Sequence, residues 1–111
     1  MIPQEIVRQQ LDFYNNNDLD GFISTYHEDI KIYNLIDNSI ILEGKDALKE
    51  KYRERFQVLK VHVDIQNRMV IGNKVIDHEH VTTITTDTIV KAVAIYELED
   101  ALIKKVWFAF E

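Results

Sequence analysis

Apolar residues recur at helical spacing from the start of the chain, where Ile2, Ile6, Val7, Leu11, Phe13 and Tyr14 make one broad face. Pro3 suits a first helical turn, because its missing donor has no partner there anyway, and Glu5 favours the positive end of the helix dipole. The run Asn15, Asn16, Asn17 ends this helix. Asp18 can cap a short second one that carries Leu19, Phe22, Ile23 and Tyr26 on one side. From Asp29 to Leu42 the pattern turns extended, with Ile30, Ile32 and Ile40 to Leu42 as strand segments around a loop at Asp37 to Ser39. After Gly44, the spacing of Ala47, Leu48, Tyr52, Phe56 and Leu59 predicts a third helix.

Beyond Lys60 the period changes to two. Val61, Val63 and Ile65 alternate with His62, Asp64 and Gln66, and Gly72 with Asn73 supplies a tight hairpin turn. Lys74 to Thr85 is rich in the branched residues that suit strands. Thr86 and Asp87 are expected to turn the chain, and Thr88 to Leu98 with Leu102 to Phe110 to form a last hairpin around Glu99, Asp100 and Ala101. Short connections favour sequential antiparallel neighbours, so the expectation is a highly curved sheet with three helices on one face. Polar residues interrupt the apolar strand faces and aromatics cluster at the ends of elements, which suits a pocket inside the bend.

At 111 residues the chain has room for one α+β domain spanning residues 1–111. Thirteen basic residues against 19 acidic ones give a net charge of −6, which argues against a nucleic-acid partner. The only dense basic stretch, Lys45 to Lys60, alternates with Glu50 and Glu54 and reads as the wet face of a helix. With no cysteine, disulfides, thiol catalysis and Cys-based zinc sites are excluded. Residues 2–13 are too polar for a signal-peptide core, and no stretch reaches the roughly 20 apolar residues of a membrane helix, so a cytoplasmic protein without a membrane partner is expected.

The segments Asn16 to Gly21, Tyr26 to Asp29, Glu43 to Leu48 and Leu102 to Trp107 resemble those of the nuclear transport factor 2-like superfamily, in its SnoaL-like and ketosteroid isomerase-like branch. The resemblance covers essentially the whole chain and implies a cone-shaped fold around a cavity. It is a poor guide to reaction, because enzymes and binding domains share the cavity. Laid on the steroid Δ-isomerase pattern, the catalytic base falls on Asn34, the oxyanion tyrosine on Gln10 and the oxyanion aspartic acid on about Ala94. None of these has the required chemistry, so a true ketosteroid isomerase is not expected. Tyr26 and Tyr52 match positions that line or buttress the isomerase pocket, although each also suits an apolar helix face.

His78 and His80 stand two apart on one strand and share a face, which the family overlay turns toward the pocket beside Ile76. They are the candidate catalytic residues, with Tyr26 and Tyr52 as orienting donors. A one-residue slip would instead bring in Asp77 and Glu79. Tyr14, Phe22, Asn34, Phe56, Ile76, Ala94, Tyr96, Val106, Phe108 and Phe110 are expected to line the pocket. Neither a metal nor another cofactor is expected. Family members commonly form homodimers through the outer sheet face, which implies an apolar patch of Val75, Val81, Val93, Ile95, Trp107 and Ala109. The sequence thus leaves three functions: binding of a small, largely apolar molecule, His-based acid-base chemistry on a small cyclic substrate by a lyase, isomerase or cyclase, and a noncatalytic dimerization module.

Overall fold

The computed structural model describes residues 2–84 and 86–111. Helix α1 (Pro3–Asn15) has Pro3 in its first turn and buries Ile6, Val7, Gln10 and Tyr14 along one face. Helix α2 (Leu19–Ser24) is capped by the Asp18 carboxylate, which accepts from the Gly21 amide at 3.0 Å. The Thr25 hydroxyl and amide both donate to the Phe22 carbonyl and close this short helix. Tyr26, expected on that helix, therefore opens strand β1 (Tyr26–Asn34) instead. Strand β2 (Ile40–Glu43) and helix α3 (Lys45–Glu54) follow, and α3 runs into one π-helical turn, Arg55–Leu59, that buries Phe56.

Four long strands complete the chain: β3 (His62–Ile71), β4 (Lys74–Thr83), β5 (Thr86–Glu99) and β6 (Leu102–Phe110). Gly72 at φ 58° turns β3 into β4, and Asp100 and Ala101, at φ 54° and 62°, supply the two left-handed residues of a tight turn between β5 and β6. Strand β5 already begins at Thr86, so Thr86 and Asp87, expected to turn the chain, belong to a strand instead. Thr85, the expected end of the preceding strand, is outside the described residues.

The strands form one sheet in the order β2-β1-β6-β5-β4-β3. Every neighbouring pair is antiparallel except β1 and β6, which run parallel, so the sheet is mixed. The highly curved, cone-shaped sheet that was to enclose a pocket is not what forms. The sheet is open, with β2 at one edge and β3 at the other. The two edge strands do not pair with each other, as closure would require. Any interior space must therefore lie between helices and sheet.

One sheet face carries Val63, Val75, Ala94, Tyr96, Ile103 and Val106, all buried in the core with Val7, Phe22, Leu48 and Phe56 from the helical segments. Asn15 fastens α1 to this layer, donating through Nδ2 to the Val63 carbonyl and accepting from the Val63 amide, both at 2.9 Å. Among the described residues, no helix is long and apolar enough to cross a membrane.

Candidate functional site

An apolar cavity of about 100 Å³ lies between the helices and the inner sheet face. Helix α1 contributes Gln10, Leu11 and Tyr14, while Lys51, Tyr52 and Arg55 come from α3 and the turn that follows. The sheet supplies Tyr26, Ile32, Ile41, Val63, Glu79, Val81, Tyr96, Phe108 and Phe110. Behind this lining Phe22 stacks on Tyr52, with ring centres 5.0 Å apart, and meets Tyr14 edge-on at 5.3 Å. Such aromatic contacts fix the phenol rings that face the space.

Two polar groups stand out in the apolar wall. Gln10 is only 3% exposed, and its Oε1 has no hydrogen-bond partner among the described residues. A buried acceptor left unpaired is costly, so each such atom asks for an explanation. Glu79, 5% exposed, accepts a hydrogen bond from the Tyr96 hydroxyl at 3.3 Å. Burial is the largest influence on Glu79 and raises its pKa from 4.5 to about 7, with repulsion from Asp77 adding to it. The Tyr96 hydrogen bond and Arg68 pull the other way.

Asp77 itself is held by Arg68, whose Nε and Nη2 donate to its two carboxylate oxygens at 2.7 and 2.8 Å. Burial raises the phenol pKa values of Tyr14, Tyr26, Tyr52 and Tyr96, so all four remain protonated donors at neutral pH. Arg55 donates to the Tyr14 hydroxyl at 3.4 Å and lies 5.7 Å from the centre of the Tyr52 ring. Glu79 can thus exchange a proton near neutrality, in a wall whose four phenols stay protonated. Among the described residues, no group of three or more His, Cys, Asp or Glu side chains could hold a metal ion.

The matched family model covers residues 7–106 and describes a SnoaL-like domain. The chain belongs to the SnoaL-like family. No curated protein matches it at the same stringency. Solved structures similar to this SnoaL-like chain include an uncharacterized cystatin fold protein from Novosphingobium aromaticivorans, at 23% identity, with 98% of both chains covered and a TM-score of 0.84. A SnoaL-like protein of unknown function from Burkholderia thailandensis is 17% identical over 98% of this chain and 94% of that one, with a TM-score of 0.81. A computationally designed 17-OHP binder is 14% identical, with 98% and 95% covered and a TM-score of 0.79. At these identities the likeness is one of fold.

The SnoaL-like chain distributes its sequence-derived candidates unevenly. Tyr14, Tyr26, Tyr52, Tyr96, Phe108 and Phe110 stand in the cavity wall. Phe22, Phe56, Ala94 and Val106 sit in the packed core of the same layer, outside the lining. Asn34 ends β1 and spends its side chain on the Ile36 amide at 2.9 Å, away from the cavity.

His78 and His80 require a correction. The buried residues of β4 are Val75, Asp77 and Glu79, so the histidines and Ile76 occupy the other sheet face. Their rings meet edge-on at 5.5 Å, remote in orientation from the space they were to serve. The same phase moves Val75 and Val81 out of the expected dimer patch: Val75 is buried in the core and Val81 lines the cavity. Val93, Ile95, Trp107 and Ala109 stay on the outer face, where Trp107 stacks on Tyr33 at 5.3 Å and donates to Asn38 Oδ1 at 3.0 Å.

Sequence reasoning missed Arg55, held Glu79 only as the slipped-register alternative to the histidines, and saw Gln10 only as a lost tyrosine. Its one available signal was in the β3–β4 hairpin. A two-residue turn at Gly72 and Asn73 places Arg68 opposite Asp77, an ion pair on a single face, and Glu79 two residues further along that face.

Proposed function

We propose that this SnoaL-like domain binds a small, largely apolar molecule in the cavity between its helices and sheet. The observation that carries the reading is an apolar, aromatic-walled space into which one unpartnered buried acceptor, Gln10 Oε1, is built. An apolar cavity of ~150 Å³ accommodates benzene, so about 100 Å³ corresponds to a ligand of about four to six non-hydrogen atoms. Drug-sized ligands occupy ~300 Å³ or more, which weighs against a steroid here. The designed relative described as a 17-OHP binder supports ligand binding by a fold of this shape, and the size of the cavity separates this chain from it.

Titration with benzene and isobutanol tests the reading by NMR of the tyrosine rings. Saturable shifts of Tyr14, Tyr52 and Tyr96 are expected, together with their loss in Val81→Phe, which fills the space. A steroid such as cortisol should leave the rings unmoved. Absence of any shift with the small probes, or shifts unchanged in Val81→Phe, would count against the cavity as a binding site.

A second reading concerns self-association. We propose that the outer sheet face pairs two copies of the chain, because Met69 and Ile89 are 54% and 53% exposed and Val93, Ile95 and Trp107 are only half-buried. This homodimer would leave the ligand cavity free on the opposite face.

A further inference from the structure

Two buried acceptors stand at the deep end of the cavity: Gln10 Oε1, with no hydrogen-bond partner among the described residues, and the Glu79 carboxylate, which accepts from the Tyr96 hydroxyl at 3.3 Å. The Glu79 charge reaches the phenols of Tyr14, Tyr26, Tyr52 and Tyr96 alike. Arg55, which donates to the Tyr14 hydroxyl and lies over the Tyr52 ring, and Lys51 are the cations of the lining. Of the cationic groups, Arg68 is the one that acts on Glu79, and it is already held by both oxygens of Asp77.

We propose, on the basis of the binding function above, that the ligand is a compact primary amine, seated as its ammonium with the charged head between Gln10 Oε1 and the Glu79 carboxylate. Two acceptors share the deep end and must be answered together. An alcohol brings one donor, whereas an ammonium brings three. Ionised Glu79 also asks for a positive charge, since a buried carboxylate without a paired cation is unfavourable. The rings of Tyr14, Tyr26, Tyr52 and Tyr96 offer faces on which a cation is stabilised. The apolar remainder of the ligand then lies toward Leu11, Val81 and Phe108. Arg55 and Lys51, the cations of the lining, repel the ammonium, which favours seating its head against Glu79.

Glu79 makes this binding depend on pH. The ammonium selects the ionised carboxylate, so a bound amine expels a proton from Glu79 when the free site is protonated. Below about pH 7, affinity should fall by about tenfold per pH unit as Glu79 holds its proton more firmly. The groups that set this titration are Asp77 and Arg68 from the neighbouring strand positions and Tyr96 from β5, while the phenols of Tyr14, Tyr26 and Tyr52, near enough to feel the Glu79 charge, stay neutral.

Isobutylamine, isobutanol, isobutyramide and isobutyrate are nearly isosteric probes that fit the volume. At pH 8, ring shifts of the cavity tyrosines should give isobutylamine at least a tenfold lower Kd than the other three. In Glu79→Gln, whose folding the same spectra report, the ratio of the amine and alcohol Kd values should fall to about one. In wild-type protein, calorimetry in two buffers of different ionisation enthalpy should show proton release on amine binding near pH 7. Equal affinity for amine and alcohol, tighter binding of the amide or the carboxylate, an amine preference that persists in Glu79→Gln, or absence of proton release would each overturn the amine proposal and leave the cavity reading standing. Binding of none of the four would overturn both.

Discussion

Glu79 concentrates the physics of this domain in one side chain. It is covered by protein and sits two residues from Asp77, whose charge opposes its own ionisation, so the folded chain holds its proton up to about pH 7. The unfolded chain releases that proton near 4.5. Between these values the folded state carries one more proton than the unfolded state, and stability must fall as pH rises. At about 1.4 kcal/mol per unit, the loss amounts to about 3 kcal/mol by pH 7 and levels off above it. Glu79→Gln removes the titration and keeps the shape. Urea unfolding at pH 5 and pH 8 should therefore show the variant gaining on wild type by about 2 to 3 kcal/mol at the higher pH. The same pH slope in both proteins would mean that the carboxyl is not held out of water.

The elements show which features could be read from the sequence and which could not. Helices α1 and α3 and the long hairpins were legible because their apolar periods are strong and their turns carry Gly72-Asn73 and Asp100-Ala101. Tyr26 was not, because the six-residue α2 ends on Thr25 before its apolar spacing runs out. The site was half legible. Tyr14, Tyr52, Tyr96 and Phe108 follow from their element faces, yet β4 presents polar residues on both faces, so alternation alone gives no preference between His78 with His80 and Asp77 with Glu79. The decision comes from across the strand, where Arg68 grips both oxygens of Asp77, whereas Asp64, opposite His80, spends its carboxylate on His62. Asn15 is a comparable tie between elements, since its two bonds to Val63 join α1 to β3. Asn15→Ala should lower stability by about 1 to 3 kcal/mol in urea unfolding, because it strands the Val63 amide and carbonyl. An unchanged midpoint would show that α1 docks through apolar contacts alone.

At the scale of the whole molecule, the helices cover one side of an open sheet and leave Ile76, Val93, Ile95 and Trp107 on the other. A lysine at the centre of that surface should be neutral to the fold and decisive for pairing. Ile95→Lys is expected to convert a dimer of the chain into monomer in sedimentation velocity, while the tyrosine ring shifts caused by isobutanol persist. A monomeric wild-type protein would rule out the outer face as a contact between copies. The strand order has a further consequence, in time rather than in space. Strand β6, the last of the six in the chain, lies between β1 and β5 and is the link between the first two strands and the other three. During synthesis, β1 must wait with one edge open until some seventy residues later its parallel partner emerges. Until then the domain exists as two fragments of sheet, and its window for mispairing closes only with the arrival of Val106 and Phe108 beside Ile32 and Asn34.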